Sequence, residues 1–133
     1  MALRKTELLN VTTITGINTV GILTVGTTQT AGGVGIASTT YIRSIVMHNT
    51  GLGTARTSLY IYPASVAATG AAQTSYRILR VDLAPNETTF FETNYPVTLT
   101  HQDKLVVEVS APDTGGTGIG SAVNFLVNGD TDI

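Results

Sequence analysis

Few side chains in this sequence could support catalysis, and their spacing matches no catalytic arrangement. The chain has no cysteine and only two histidines, His48 and His101. A hydrolase would need Ser, His and Asp brought together, and the Gly-x-Ser-x-Gly turn that often carries the nucleophile is absent from the sequence. The two histidines also lack the spacing of zinc ligands. We therefore predict that the protein is not an enzyme and binds no metal and no cofactor.

The carboxylates offer two further candidates for chemistry. Glu92 and Glu108 are predicted on adjacent strands, where they could act as acid and base, but no cleft of aromatic side chains accompanies them. Asp130 and Asp132 could ligate calcium, although that ion needs roughly six to eight oxygens. The glycine-rich run 113–121 lacks the Lys-Ser/Thr of a phosphate-binding loop. We interpret all of these residues as solvated side chains or loop positions.

Three tyrosines are the best candidates for binding a partner. Tyr60 and Tyr62 share one face of a predicted strand, and Tyr95 lies in a predicted corner. Two interpretations of the pair remain open: it forms the wall of a second buried layer, or it points outward and docks on another subunit. An exposed pair could also be the platform of a carbohydrate-binding module. By contrast, Arg77 and Arg80 are predicted on opposite faces of one strand, so they should not form a basic patch.

Alternation of apolar and polar residues predicts strands along most of the chain. The central stretch 76–110 contains three of them, separated by a turn at 84–87 and a corner at 94–96. Pro85 stands at the second position of that turn, where its fixed φ is favourable. The third strand has a period of two, with an inward face made of Leu105, Val107 and Val109.

The remaining strands complete an all-β pattern. They are predicted at 40–49, 57–62 and 123–128, and the first has apolar residues on both faces, which suits a core strand or one covered by a partner. The loop 64–75 has small, neutral side chains, and packing against a partner is the only role we assign to it. Roughly six to eight short strands without a helical period predict an antiparallel β-sandwich or jelly roll over residues 39–133.

Residues 1–38 are predicted to form an extended N-terminal arm and linker. Thr or Asn alternates with Val, Ile or Leu between Leu8 and Val25, and glycine recurs at every fifth position from residue 16 to residue 26. Two interpretations remain open: the arm lies along a neighbouring subunit, or it is an ordinary first strand followed by a flexible loop. In the first case the arm would contribute an interface made of Val20, Ile22, Leu23 and Val25.

The composition indicates one domain that works among other chains. The sequence has 133 residues, of which 12% are charged, with a net charge of −2. This balance gives no electrostatic footprint for nucleic acid or for an anionic membrane, and no apolar run is long enough to span a bilayer. The N-terminus lacks the apolar core of a signal peptide. Because solubility usually depends on charge, we predict a subunit whose surface is partly covered by neighbours.

Several motifs, taken in order, resemble a known group of proteins. They are Arg43-Ser-Ile-Val-Met-His-Asn-Thr-Gly, Ser58-Leu-Tyr-Ile-Tyr-Pro, Leu83-Ala-Pro-Asn-Glu-Thr, Asp103-Lys-Leu-Val-Val-Glu-Val-Ser-Ala and Val123-Asn-Phe-Leu-Val-Asn-Gly. The ordered set resembles small β-sandwich structural proteins of tailed bacteriophage particles. The N-terminal Gly-Ile-Asn-Thr-Val-Gly-Ile-Leu-Thr-Val is similar to the style of virion proteins from marine cyanophages with contractile tails.

The resemblance implies a virion protein that is made in the host cytoplasm and carried on the particle surface. Its first implied role is capsid decoration: a cement protein that binds the major capsid protein on the outer head as a homo-oligomer, with a trimer as the commonest symmetry. A neck, tail or baseplate component is the alternative. The family has no catalytic residues to carry over, and it implies neither nucleic-acid nor membrane binding.

Overall fold

Two antiparallel β-sheets pack face to face and enclose one apolar core. A computed structural model describes residues 3–15, 18–25, 27–29, 35–37, 39–68, 72–100, 102–110 and 122–132. Within these residues the strands are β1 (Leu3–Thr15), β2 (Asn18–Thr24), β3 (Thr27–Gln29), β4 (Gly35–Ala37), β5 (Thr40–Asn49), β6 (Ala55–Tyr62), β7 (Arg77–Leu83), β8 (Thr88–Leu99), β9 (Lys104–Ser110) and β10 (Ala122–Asp132). A 3-10 turn, Thr74–Tyr76, precedes β7.

The strand order is that of a jelly roll. Sheet A has the order β1-β10-β5-β8, and sheet B has the order β2-β9-β6-β7, with antiparallel pairing throughout both sheets. The chain crosses repeatedly between the sheets, so that the first and last long strands lie side by side in sheet A. The predicted all-β antiparallel sandwich is therefore confirmed. Among the described strands, the short strands β3 and β4 pair with each other and with no third strand.

The core is filled from the inward positions of both sheets. The predicted alternation in β9 is confirmed, because its odd-numbered residues from 105 to 109 are fully buried in the central cluster. Burying such a side chain contributes roughly 1.5–3 kcal/mol before entropy is subtracted. The large inward side chains of sheet A include Ile42, Ile45, Met47, Leu99, Val123, Phe125 and Val127, and β6 adds Leu59 from sheet B.

The N-terminal strands belong to the sandwich, which differs from the predicted arm over residues 1–38. Along its whole length β1 pairs with β10 as an edge strand of sheet A, and β2 pairs with β9 as an edge strand of sheet B. The alternating apolar residues give β1 a buried side, where Ile14 is only 7% exposed. The described residues of this segment therefore form ordinary strands of their own domain, as in the second of the two interpretations.

Two turns at one end of the sandwich are joined through Asn49, which is fully buried. Its side-chain amide donates to the carbonyl oxygens of Gly53, at 2.9 Å, and of Leu83, at 2.8 Å. In the second turn the amide of Glu87 donates to the carbonyl of Ala84 at 3.0 Å, and Asn86 has a φ of 64°. The predicted turn at 84–87 is confirmed, with Pro and Asn at the two central positions that a type II turn favours.

A bulge of four residues interrupts β8 where we predicted a corner between strands. Glu92 pairs with Ser44, and the next paired residue, Val97, lies opposite Ile42. Four residues of β8, numbers 93–96, therefore face a single residue of β5, and the chain continues as the same strand instead of ending. Pro96 is tolerated because β8 is an edge strand, where a missing amide hydrogen need not break a ladder.

Candidate functional site

The outer face of sheet B carries a second apolar layer built on two tyrosines. Tyr60 and Tyr62 are 0% and 1% exposed and pack with Val106 in a cluster separate from the main core. Their rings meet edge to face with centroids 6.0 Å apart, and Tyr76 lies 5.6 Å from Tyr62. Of the two interpretations of the tyrosine pair, the structure shows the buried layer. An outward aromatic platform for a partner or a carbohydrate is therefore absent at this pair.

The cover of this layer is the connection between β6 and β7, residues 63–68 and 72–76, here called the strap. Val66, Ala68 and Ala72 of the strap pack on the tyrosines. The strap also reaches β2, since a Cβ added to Gly21 would lie 2.9 Å from the Cβ of Ala68. We predicted that this loop would pack against a partner, whereas it packs against its own sheet, because its small side chains fit closely over the rings.

Polar contacts fix the strap at both ends. The ammonium group of Lys104 donates to the carbonyl of Val66 at 2.8 Å, and the amide of Ala64 donates to the carboxylate of Asp103 at 3.1 Å. At the other end, the amide of Gln73 donates to the hydroxyl of Tyr62 at 2.9 Å. These bonds satisfy backbone groups that would otherwise oppose covering the tyrosines.

The hydroxyl of Tyr60 donates a hydrogen bond of 2.8 Å to the carboxylate of Glu108. Burial of the phenol, together with this hydrogen bond to an anion, raises the pKa of Tyr60 above its usual value. Both causes favour the neutral phenol, so the group serves as a structural donor at neutral pH. Glu108 lies in sheet B and Glu92 in sheet A, so these two carboxylates do not face each other on adjacent strands.

Three of the four predicted interface residues of the N-terminal segment pack against their own core. Val25 is buried, and Ile22 and Leu23 are partly buried against the central cluster. The backbone of Val20 pairs with Val107 in β9, and its side chain lies outside the described residues. Tyr95 is the exception: it is 84% exposed in the β8 bulge. The structure therefore does not bring the seven predicted interface residues together on one surface.

A register shift in β7 reverses the predicted arrangement of two arginines. Ser58 pairs with Arg80 and Tyr60 pairs with Arg77, so both arginines lie on the outer face of sheet B. The prediction of opposite faces is wrong because the bulge at Ile78 adds one residue to the period of two. Nearby, the guanidinium group of Arg56 forms a two-point ion pair with Asp82, with N–O distances of 2.8 and 3.2 Å. Strong hydrogen bonding to Arg56 lowers the pKa of Asp82.

The remaining candidates for chemistry have structural partners. The Nδ1 atom of His48 lies 2.7 Å from the hydroxyl of Thr88. The guanidinium group of Arg43 donates to the carboxylate of Asp130 at 2.6 Å, and Asp130 is buried, so its interpretation as a solvated side chain is wrong. His101 and the 113–121 run lie outside the described residues, as does the side chain of Asp132. Among the residues that the structure describes, no cluster of three potential metal-ligating side chains occurs, and no helix is long and apolar enough to cross a membrane.

The outer face of sheet A carries apolar residues that no strap covers among the described residues. Leu126 pairs with Val46, and Val46 pairs with Phe90. The register shift between Leu9 and Thr12 leaves two residues of β1, Asn10 and Val11, facing Leu126 of β10, and Val11 and Leu126 line a common hollow. Val11 is 58% exposed and Phe90 is 61% exposed. The four side chains form a line across all four strands, here called the apolar row: Val11, Leu126, Val46 and Phe90.

The apolar row borders a hollow of about 220 Å³ at its β1–β10–β5 end. The hollow is lined by Val11, Val46, His48, Asn124, Phe125 and Leu126. Sequence reasoning did not assemble this site, although it noted apolar residues on both faces of 40–49. That pattern could have indicated the site. The inward face of such a strand packs in the core, so apolar residues on its outward face indicate a surface that another element or another chain covers.

No family model, no curated protein and no solved structure matches this chain.

Proposed function

We propose that this protein is a non-enzymatic structural subunit of a tailed-phage particle, acting as a capsid decoration protein that binds the outer head surface as a homo-oligomer. The proposal rests on the motif resemblance and on one structural observation, the apolar row on the open face of sheet A. A jelly roll is a fold that viral capsid domains use, which agrees with the proposal, although a fold alone does not assign a function.

The function would be adhesive, with the apolar row as the contact between copies of the protein on the particle. Two of the four residues in the apolar row are more than half exposed, and covering such side chains contributes about 25 cal/mol for each Å² of apolar area removed from water. A contact of this size is weak for one copy. Repetition around a symmetric assembly multiplies it, because the second contact of a tethered subunit forms at a high effective concentration.

The carbohydrate-binding alternative needed an exposed tyrosine platform. Because Tyr60 and Tyr62 are covered by the strap, we do not propose it.

Quantitative mass spectrometry of separated heads and tails tests the proposal. We expect the protein in the head fraction at a copy number that scales with the number of capsid subunits. A small fixed number in the tail fraction would replace decoration by a neck, tail or baseplate role. Absence from purified particles of the phage that encodes the protein would overturn the structural role altogether.

A further inference from the structure

One edge of the outer face of sheet A presents an exposed aromatic ring, and the other side presents a hollow. Phe90 lies on β8, and the hollow is formed by β1, β10 and β5. With neighbouring strands about 4.8 Å apart, the ring and the centre of the hollow are separated by about 10 Å across β5. The ring and the hollow are both on the outer face of sheet A, and they lie at about equal distances on either side of β5.

The size of the hollow suits one side chain. Its volume of about 220 Å³ is smaller than the roughly 300–1,000 Å³ of sites for drug-sized ligands. A buried apolar cavity of about 150 Å³ is known to accept benzene, so a phenyl ring fits this volume. Val11, Val46 and Leu126 supply apolar walls for such a ring.

The charge of the face favours a second copy of the same chain. A two-fold contact places each patch against itself, so any charge on the patch meets its own kind. Beside the apolar row, the register places the uncharged residues Thr13, Asn124, Ser44 and Asn128, together with His48 and Thr88. Charged residues occur one row further along the strands: Glu92 pairs with Ser44 and Glu7 pairs with Asn128, and Arg43, which precedes Ser44, is ion-paired with the buried carboxylate of Asp130. A charged partner would find no opposite charge at the apolar row itself, whereas the apolar row and the adjacent row of Thr13, Asn124, His48 and Thr88 bring no carboxylate, lysine or arginine against a second copy.

We propose that two copies of this protein pack sheet A against sheet A, each inserting Phe90 into the hollow of the other. The two-fold axis runs along β5, so that the Val46 side chains of the two copies meet at the centre and each Phe90 approaches the second copy's Leu126. Aligned sheets stack about 10 Å apart, which is the spacing of the protein's own sandwich. The resemblance implied a trimer, whereas this geometry favours a two-fold pair.

The inference extends the homo-oligomer of the proposed function, and it is tested on the purified protein, so that its failure and the failure of the particle assignment are distinguishable. Sedimentation velocity over a wide concentration series should show a monomer–dimer equilibrium for the full chain. Phe90→Ser and Leu126→Glu should each weaken the association roughly tenfold or more, because each removes one half of both contacts. Tyr95→Ser is the matched control, since it also removes an exposed aromatic ring from β8 but lies outside the apolar row.

Mixing the two variants tests reciprocity. A Phe90→Ser copy has an intact hollow, and a Leu126→Glu copy has an intact ring, so the mixture can form one of the two contacts. We expect the mixture to associate more tightly than either variant alone. Thermal unfolding of each variant, measured in parallel, identifies any loss of association that comes from misfolding.

Cross-linking gives a readout that does not depend on weakened binding. The natural sequence has no cysteine, so introduced thiols react without background. Phe90→Cys mixed with Leu126→Cys should be joined by a bismaleimide of about 10 Å, matched to the sheet spacing, while each variant alone should react much less. A wild-type chain that stays monomeric at every concentration would overturn the proposal. A trimer in sedimentation would also overturn it, as would a Tyr95→Ser variant that weakens association as much as Phe90→Ser does. Cross-linking of each cysteine variant alone that is as efficient as cross-linking of the mixture would overturn it too.

Discussion

The outer faces of both sheets carry apolar side chains, but among the described residues the chain itself covers only those of sheet B. On sheet B, Tyr60, Tyr62 and Val106 are at most 1% exposed because the strap lies over them. On sheet A, Val11 and Phe90 are more than half exposed. The outer face of sheet B is therefore covered by its own chain, and sheet A retains exposed apolar side chains that a neighbour can cover.

This difference separates stability from assembly. Covering a tyrosine removes roughly 150–250 Å² of its surface from water within the monomer, so truncating it should lower the free energy of unfolding. An exposed phenylalanine contributes little to folding, and covering it would contribute to association instead. If truncations on the two faces destabilised the monomer equally, this division of roles would not hold.

The largest expected effect concerns the rigidity of the sheet behind the open face. Gly129 lies where β10 shifts register against β5, and a Cβ there would fall inside the contact radius of the Tyr41 carbonyl oxygen and 2.9 Å from Cδ1 of Leu8. Because a backbone atom cannot move away easily, Gly129→Ala should lower the free energy of unfolding by about 4 kcal/mol or more, measured by urea titration. Gly53→Ala is the control: no atom lies within 4 Å of its added Cβ, so we expect a change within about 0.5 kcal/mol. A Gly129→Ala protein of wild-type stability would show that sheet A yields there.

The next effect compares one aromatic truncation on each face. Tyr62→Ala removes a buried ring and the acceptor of the Gln73 amide, so the free energy of unfolding should fall by about 3–5 kcal/mol. Limited proteolysis should then cut the strap. Phe90→Ala removes a ring that is 61% exposed, and monomer stability should change by less than about 1 kcal/mol. These measurements need a dilute sample, where association does not contribute. Equal losses for the two variants would remove the distinction between the faces.

In β6 and β9, local alternation was sufficient to predict which residues share a face, but it did not predict what covers that face. The buried side of β9 and the shared side of Tyr60 and Tyr62 both followed from a period of two. The cover of the tyrosines came from a loop of small residues whose contacts are distant in sequence, with Ala72 as one example. The row formed by Val46 and Phe90 was missed because it appears only when four strands from distant parts of the chain are aligned.

Bulges account for the other differences between prediction and structure. A period of two places Arg77 and Arg80 on opposite faces, and one extra residue at Ile78 places them on the same face. Pro96 suggested a corner, although an edge strand can carry a proline within a bulge. The pairing of β1 with β10 joins the two ends of the chain, and no local pattern specifies a partner at that separation.

A smaller effect tests the polar part of the covered layer. Because the pKa of Tyr60 is raised in the folded state, the neutral phenol is held more strongly there than in the unfolded chain. Its contribution is fully present below the unfolded pKa of about 10 and is lost as the pH rises through the higher folded value. Tyr60→Phe should cost about 1 kcal/mol at neutral pH and should reduce the loss of stability above about pH 10. Tyr95→Phe should leave both quantities unchanged, because that ring is exposed. An alkaline limb that is unaffected by Tyr60→Phe would contradict the role of its hydrogen bond to Glu108.

The smallest effect is expected where sheet B is not covered, at the ion pair between Arg56 and Asp82. The side chains are 28% and 45% exposed, so the pair should contribute only about 0–1 kcal/mol. The pKa of Asp82 is lowered in the folded state, so this contribution is present above the unfolded pKa of about 3.9 and is lost as the pH falls through the folded value. Asp82→Asn should therefore differ slightly from the wild type at pH 7 and should match it once the pH lies below both values, as measured by urea unfolding at each pH. Added salt should shrink the difference at pH 7, because water reaches both groups. A difference that persists in strong acid would mean that the Asp82 side chain acts through packing, and the uncovered part of sheet B would then resemble the part beneath the strap.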